Sequence, residues 1–145
     1  MTASFVTDTA TMCVFDLDAL KHRLADDADW WSIQDEELIE VNQGNVAFVC
    51  LNDDGKYEVD IVPELSESDC ELKIRCPSGR IFLGAGEEVT SDGLEPECIR
   101  GGTFLDLPVG VYRVAVKRLG INKLCVAFTE SEGASLNAFT ESCRI

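Results

Sequence analysis

Cations are scarce in this chain. Twelve Lys and Arg stand against 27 Asp and Glu, a formal charge of -15 over 145 residues. A small soluble domain usually carries a net charge of magnitude about 2–8. Phosphate backbones and anionic membranes need Lys and Arg opposite them, so the deficit argues against direct nucleic-acid binding and against a membrane surface. Histidine is scarcer still, with His22 alone. A Ser-His-Asp or Cys-His arrangement would have to use it, yet it sits between Lys21 and Arg23 on a predicted short helix. No serine stands in a nucleophile-elbow motif. No stretch approaches about 20 apolar residues, so no membrane span is predicted. Met1 to Phe5 shows neither the basic region nor the apolar run of a signal peptide.

Two-residue cysteine spacings are also missing. The seven cysteines are Cys13, Cys50, Cys70, Cys76, Cys98, Cys125 and Cys143, and no pair has the gap of a zinc knuckle or a redox motif. Cys13, Cys50 and Cys125 lie inside apolar runs, where cysteine acts as a small hydrophobe. This usage predicts reduced thiols, a cytoplasmic location, and no metal or other cofactor.

What is present is an apolar content of 46% with period-two patterning. The length fits a single domain spanning residues 1–145, large enough for a core without staples. Thr11 to Phe15 reads as a strand, and Asp16 as the N-cap of a short helix carrying Leu17, Leu20 and Leu24. Leu38 to Val41 and Val46 to Leu51 read as strands. Asn52-Asp53-Asp54-Gly55 then reads as a hairpin turn into Tyr57-Glu58-Val59-Asp60-Ile61. Further strands are predicted at 72–76, 80–83, 103–107, 111–119 and 124–128, with a long acidic loop over 84–101. The expected fold is mostly β: an antiparallel sandwich or Greek-key barrel of about eight strands with one short N-terminal helix.

One segment imitates catalytic chemistry. Cys13-Val14-Phe15-Asp16-Leu17-Asp18 is an apolar strand ending in Asp-x-Asp, like the nucleophile motif of haloacid-dehalogenase-type phosphatases. The usual Thr or Val after the second Asp is Ala19 here. The acidic stretch that would complete the metal site, Asn52-Asp53-Asp54, follows too closely for the intervening helices and strands of that fold. A helix cap for Asp16 and a turn for Asp53-Asp54 are the better reading, and no catalytic residue is assigned. The same turn is too short for a calcium loop. A calcium- or small-ligand-binding sandwich remains the alternative to a protein-binding one.

Charge distribution carries the functional signal. No cation occurs between Arg23 and Lys56, an interval holding Asp26, Asp27, Asp29, Asp35, Glu36, Glu37 and Glu40. Only acids appear between Lys56 and Lys73, whereas Arg113, Lys117, Arg118 and Lys123 form an acid-free basic stretch. Trp30 and Trp31 are embedded in the first acidic segment. Adjacent residues rarely both point inward, so one Trp is expected in the core and the other at the surface, where aromatics ringed by charge often anchor partners. The predicted partner-binding residues are Asp26, Asp27, Asp29, Trp30, Trp31, Asp35, Glu36 and Glu37, joined by Glu87 and Glu88 of the later acidic loop.

A tryptophan opening a β domain, then Gly44-Asn45-Val46-Ala47-Phe48, then the closing Leu105-Asp106-Leu107-Pro108-Val109-Gly110-Val111-Tyr112-Arg113-Val114, is a familiar series. Over residues 30–130 the chain resembles the small acidic β proteins of the competence nuclease-inhibitor type (competence protein J) and related bacterial immunity proteins. The resemblance implies a non-enzymatic inhibitor that binds its cognate toxin one to one, such as a nuclease or a type VI secretion effector. It brings no catalytic residues. A basic protein partner is therefore expected, met through the acidic surface.

Overall fold

Alternation in burial lays out the first sheet. A computed structural model describes residues 1–23, 26, 30–90, 96, 100–134 and 136–145. In β1 (Thr2–Thr7), Ala3, Phe5 and Thr7 turn inward. In β4 (Gly55–Val62), Tyr57 and Val59 do so, and in β5 (Cys70–Cys76), Cys70, Leu72, Ile74 and Cys76. With β8 (Gly110–Gly120) and β9 (Lys123–Ser131), these strands form a five-stranded sheet in the order β1-β4-β9-β8-β5. One face is buried and the other bears the alternating charged residues, as the period of two requires.

The second sheet reads differently because both of its faces are covered. Met12 to Phe15 of β2 (Thr11–Phe15) and Ile81 to Ala85 of β6 (Arg80–Ala85) are buried without alternation. Together with β3 (Ala47–Cys50), β7 (Thr103–Asp106) and β10 (Cys143–Arg144) they form the order β10-β3-β2-β6-β7. Over part of its outer face lie the short helix α1 (Leu17–Leu20), the 3-10 turn Trp30–Ser32 and the helix α2 (Gln34–Asn42). The result is sandwich-like, as the patterning predicts, and the sheets do not close into a barrel.

Several local expectations are corrected. The sheets are mixed, because β4 runs parallel to β9 and β10 parallel to β3. Ten strands are found among the described residues, with β1 and β10 added to those read from sequence. Leu38 to Val41 is helical, part of α2, whose first turn carries Asp35, Glu36 and Glu37. Negative charge there complements the positive end of the helix dipole, and four apolar-rich residues are too few to separate a strand from a helix by period. The Asn52 to Gly55 turn does not close a hairpin, since β3 belongs to one sheet and β4 to the other. Asn52 and Gly55 do adopt the positive φ expected of a tight turn. Turn chemistry fixes the bend, not the sheet that the next strand joins.

The thiol expectation is also corrected. Cys70, the first residue of β5, is disulfide-bonded to Cys143 of β10, 73 positions away, so the bond links the two sheets. Spacing rules for metal and redox motifs say nothing about such a distant pair. Cys13, Cys50, Cys76 and Cys125 are free thiols. The cytoplasmic expectation therefore loses the support it drew from reduced cysteines. No described helix is long and apolar enough to cross a membrane.

Candidate partner-binding surface

Trp30 and Trp31 divide as adjacent residues should. Both sit on Phe48 of β3. Trp30 is 3% exposed and meets Phe48 edge-on, ring centroids 6.2 Å apart. The Arg23 guanidinium lies 4.7 Å over its ring, and its Nε1 has no hydrogen-bond partner among the described residues. Trp31 is half-buried and stacks on Phe48 at 5.5 Å and 17°. A Cβ at Gly86 would stand 2.9 Å from Thr11 Cγ2 and 3.4 Å from Trp31 Cη2, so glycine makes room for this indole.

The acids around this pair fall into two groups. Arg23 gathers the first: Nη2 donates to Glu36 at 2.8 Å, Nη1 to Asp26 at 3.2 Å and Nε to Glu40 at 3.0 Å. Glu40 is 2% exposed, lies 2.6 Å from His22 Nε2 and accepts from Asn45 Nδ2 at 2.8 Å. Burial alone would raise its carboxyl, but the bonds from Asn45, His22 and Arg23 hold it below the ordinary range. His22 is thus a structural partner of Glu40. The second group keeps its charge available. Asp35 is exposed, and Glu37 is half-buried with one hydrogen bond, from Ser142 Oγ at 3.0 Å. Asp27 and Asp29 lie outside the described residues.

Glu87 and Glu88 are drawn into the fold rather than presented freely. Glu87 accepts from Thr7 Oγ1 at 2.8 Å, Thr9 Oγ1 at 2.6 Å and the Asp8 N–H at 2.8 Å, and pairs with Arg100 at 3.2 Å. Burial would raise it, yet these hydrogen bonds hold it low. It pins the turn between β1 and β2. Glu88 is 3% exposed. The predicted acidic loop starts instead as the end of β6 and a 3-10 turn over Gly86–Thr90, and that turn points these acids inward. Trp30 is likewise removed from direct contact by its burial.

The catalytic look-alike resolves as a cap. Asp16 is 1% exposed, accepts from the Asp18 N–H at 3.0 Å and takes the Ser78 N–H at 2.8 Å. Among the described residues no group of three or more His, Cys, Asp or Glu is placed to hold a metal ion.

Two depressions flank α2. On one side Trp31, Phe48, Glu37, Thr9, Thr11 and Ser142 contribute to a cleft of about 320 Å³. On the other, Asp35, Leu38, Ile39 and Asn42 of α2 face Leu136 and Phe139 across an open apolar groove. Helical spacing puts those four α2 residues on one side. The C-terminal segment 136–145 supplies walls to both. Asn137 Nδ2 donates to the carbonyls of Val41 and Lys73, Asn42 and Phe139 exchange two hydrogen bonds, and Cys143 carries the disulfide. Sequence reading missed this strap because its tail is polar and nearly patternless.

A family model described as "Family of unknown function (DUF6386)" matches residues 1–145. The chain belongs to the DUF6386 family. No curated protein matches it. Among solved structures this DUF6386 chain is similar to "Crocagin biosynthetic gene J", with 16% identity, a TM-score of 0.52, and coverage of 88% of this chain and 96% of that one. It also matches the crystal structure of ComJ, inhibitor of the DNA degrading activity of NucA, from Bacillus subtilis. That match has 11% identity, a TM-score of 0.43, and coverage of 90% and 96%. At 16% identity, the likeness to the first of these is one of fold.

Proposed function

We propose that this chain is a non-enzymatic immunity-type inhibitor that binds a basic protein, a cognate toxin such as a nuclease or a type VI secretion effector. Residues 1–145 act as one inhibitor domain, on the cytoplasmic side, with neither nucleic acid nor membrane as partner. The observation that carries the reading is a run of acids on and beside α2, in a protein of charge -15: Asp26 and Glu36 on Arg23, Asp35 exposed, and Glu37 sharing a cleft with the half-exposed Trp31. A nuclease presents Lys and Arg to its phosphate substrate, and an acidic surface with an aromatic anchor is complementary to such a rim. Opposite fields also steer the encounter, raising association rates to about 10⁸–10⁹ M⁻¹s⁻¹ at low salt. Arg23 tempers the charge of Asp26 and Glu36, so Asp35 and Glu37 carry most of the attraction.

Co-expression with the product of the adjacent gene tests the class. Expression of that product alone should stop growth, and this chain should restore it. A neighbour that is harmless alone, or that still kills with this chain present, would sink the reading.

A further inference from the structure

The cleft beside α2 has an unusual hydrogen-bonding balance. Three of its hydroxyl protons are already committed: Thr9 Oγ1 donates to Glu87 at 2.6 Å, Thr11 Oγ1 to the Thr9 carbonyl at 2.8 Å, and Ser142 Oγ to Glu37 at 3.0 Å. What these groups can still offer a visitor is lone pairs. Glu37 is a carboxylate and accepts only. It is half-buried, yet among the described residues it forms no ion pair and takes just the one hydroxyl donor. A half-buried carboxylate with so few donors is short of partners. Beside it stands the Trp31 indole, backed by Phe48. The volume of about 320 Å³ is at the small end for ligand sites, enough for one long side chain.

An acceptor-rich wall, a carboxylate and an aromatic face together select a flat, donor-only cation. Guanidinium has five N–H donors and no acceptor, stacks on indole and pairs with carboxylate in two-point fashion. We propose that this cleft receives one arginine side chain of the protein partner, its guanidinium lying against Trp31 with Glu37 as counter-ion. The proposal rests on the basic-partner reading above and names the contact at its centre. One group opposes it: Arg144, an exposed residue whose Nη1 lies 3.3 Å from Cys50 Sγ, where Cys50 also lines the cleft. Its like charge weakens the site for a cation and would strengthen it for an anion, so its removal gives a test of sign.

The probes are N-acetyl-arginine amide, its uncharged citrulline counterpart and a hexa-arginine peptide, followed by the two tryptophan indole N–H resonances, with Trp31→Phe for assignment. The arginine amide should move the Trp31 resonance at millimolar concentration, and the citrulline compound should not. Glu37→Gln should weaken the arginine amide about tenfold, the loss of one charge-assisted contact. Arg144→Ala should tighten it about twofold. An equal response to citrulline, or weaker binding in Arg144→Ala, overturns the cation site using well-folded protein. If hexa-arginine binds at low salt but moves residues around Asp35 and leaves Trp31 still, the arginine cleft falls and the acidic-surface reading stands. No hexa-arginine binding at low salt overturns both.

Discussion

Ser142 Oγ donates to Glu37 Oε2 across 3.0 Å, joining residues 105 positions apart. That bond fastens the C-terminal strap to the first turn of α2. Burial nevertheless pushes the Glu37 carboxyl above its ordinary value of 4.5, against the pull of Ser142 and of the Arg144 charge. A carboxyl raised in the folded state favours folding while protonated, and that contribution disappears as pH rises through the raised value. At neutral pH the ionised Glu37 is therefore a cost to stability. Glu37→Gln should raise the denaturation midpoint at pH 7, show no gain near pH 4, and weaken partner binding. Stability gained with function lost is the pattern expected of a binding residue; urea titrations at the two pH values check it.

Neighbouring tryptophans should respond in opposite ways. Trp30→Ala removes a ring that is 3% exposed and packed on Phe48, so it should cost about 3–5 kcal/mol in chemical denaturation. Trp31→Ala removes a half-exposed ring and should cost markedly less, while partner affinity falls by about 2 kcal/mol, as for an interface anchor. Calorimetric titration beside urea unfolding separates the two effects.

Arg23→Ala should destabilise by about 3 kcal/mol, because it leaves the Glu40 carboxylate buried with only His22 and Asn45. The acid limb of stability follows from the same group and from Glu87. Both are held below 4.5 in the folded protein, so their contribution is complete above that pH and is lost as pH falls through the lowered values. A thermal melt series from pH 6 to pH 3 should show the decline beginning below about pH 4.5, and Glu87→Gln should flatten it.

Reduction should loosen the strap. The Cys70–Cys143 bond closes a loop of 73 residues, a constraint that chain-entropy reasoning values at about 4 kcal/mol. Cys70→Ser should lower the melting temperature, and a dithiol reductant should lower that of the wild type but leave the variant unchanged. Equal melting of oxidised and reduced wild type would contradict this.

Much of the sheet structure was legible because alternation is a local signal. Tyr57 and Val59 against Lys56 and Glu58 place β4, and the apolar run of Met12 to Phe15 places β2. The inward–outward split of Trp30 and Trp31 was legible from adjacency alone. What stayed hidden depends on contacts distant in sequence. Nothing near Cys70 points to Cys143, and nothing in Glu87-Glu88 reveals that Thr7 and Thr9 stand ready to bond the first of them. Parallel pairing of β4 with β9 is invisible for the same reason, since both strands look alike in either direction. Helix α2 was obscured by its brevity and its acidic first turn, and its apolar Ile39 is exposed in the groove rather than buried in the core.

The most direct test of the acidic-surface account is the association rate with the toxin identified by co-expression, measured from low to high ionic strength. Wild type should slow steeply as salt screens the field, and Asp35→Lys should start slower and depend less on salt. A wild-type rate that does not change with salt, or an Asp35→Lys rate equal to it, would contradict the claim that this surface recruits the partner.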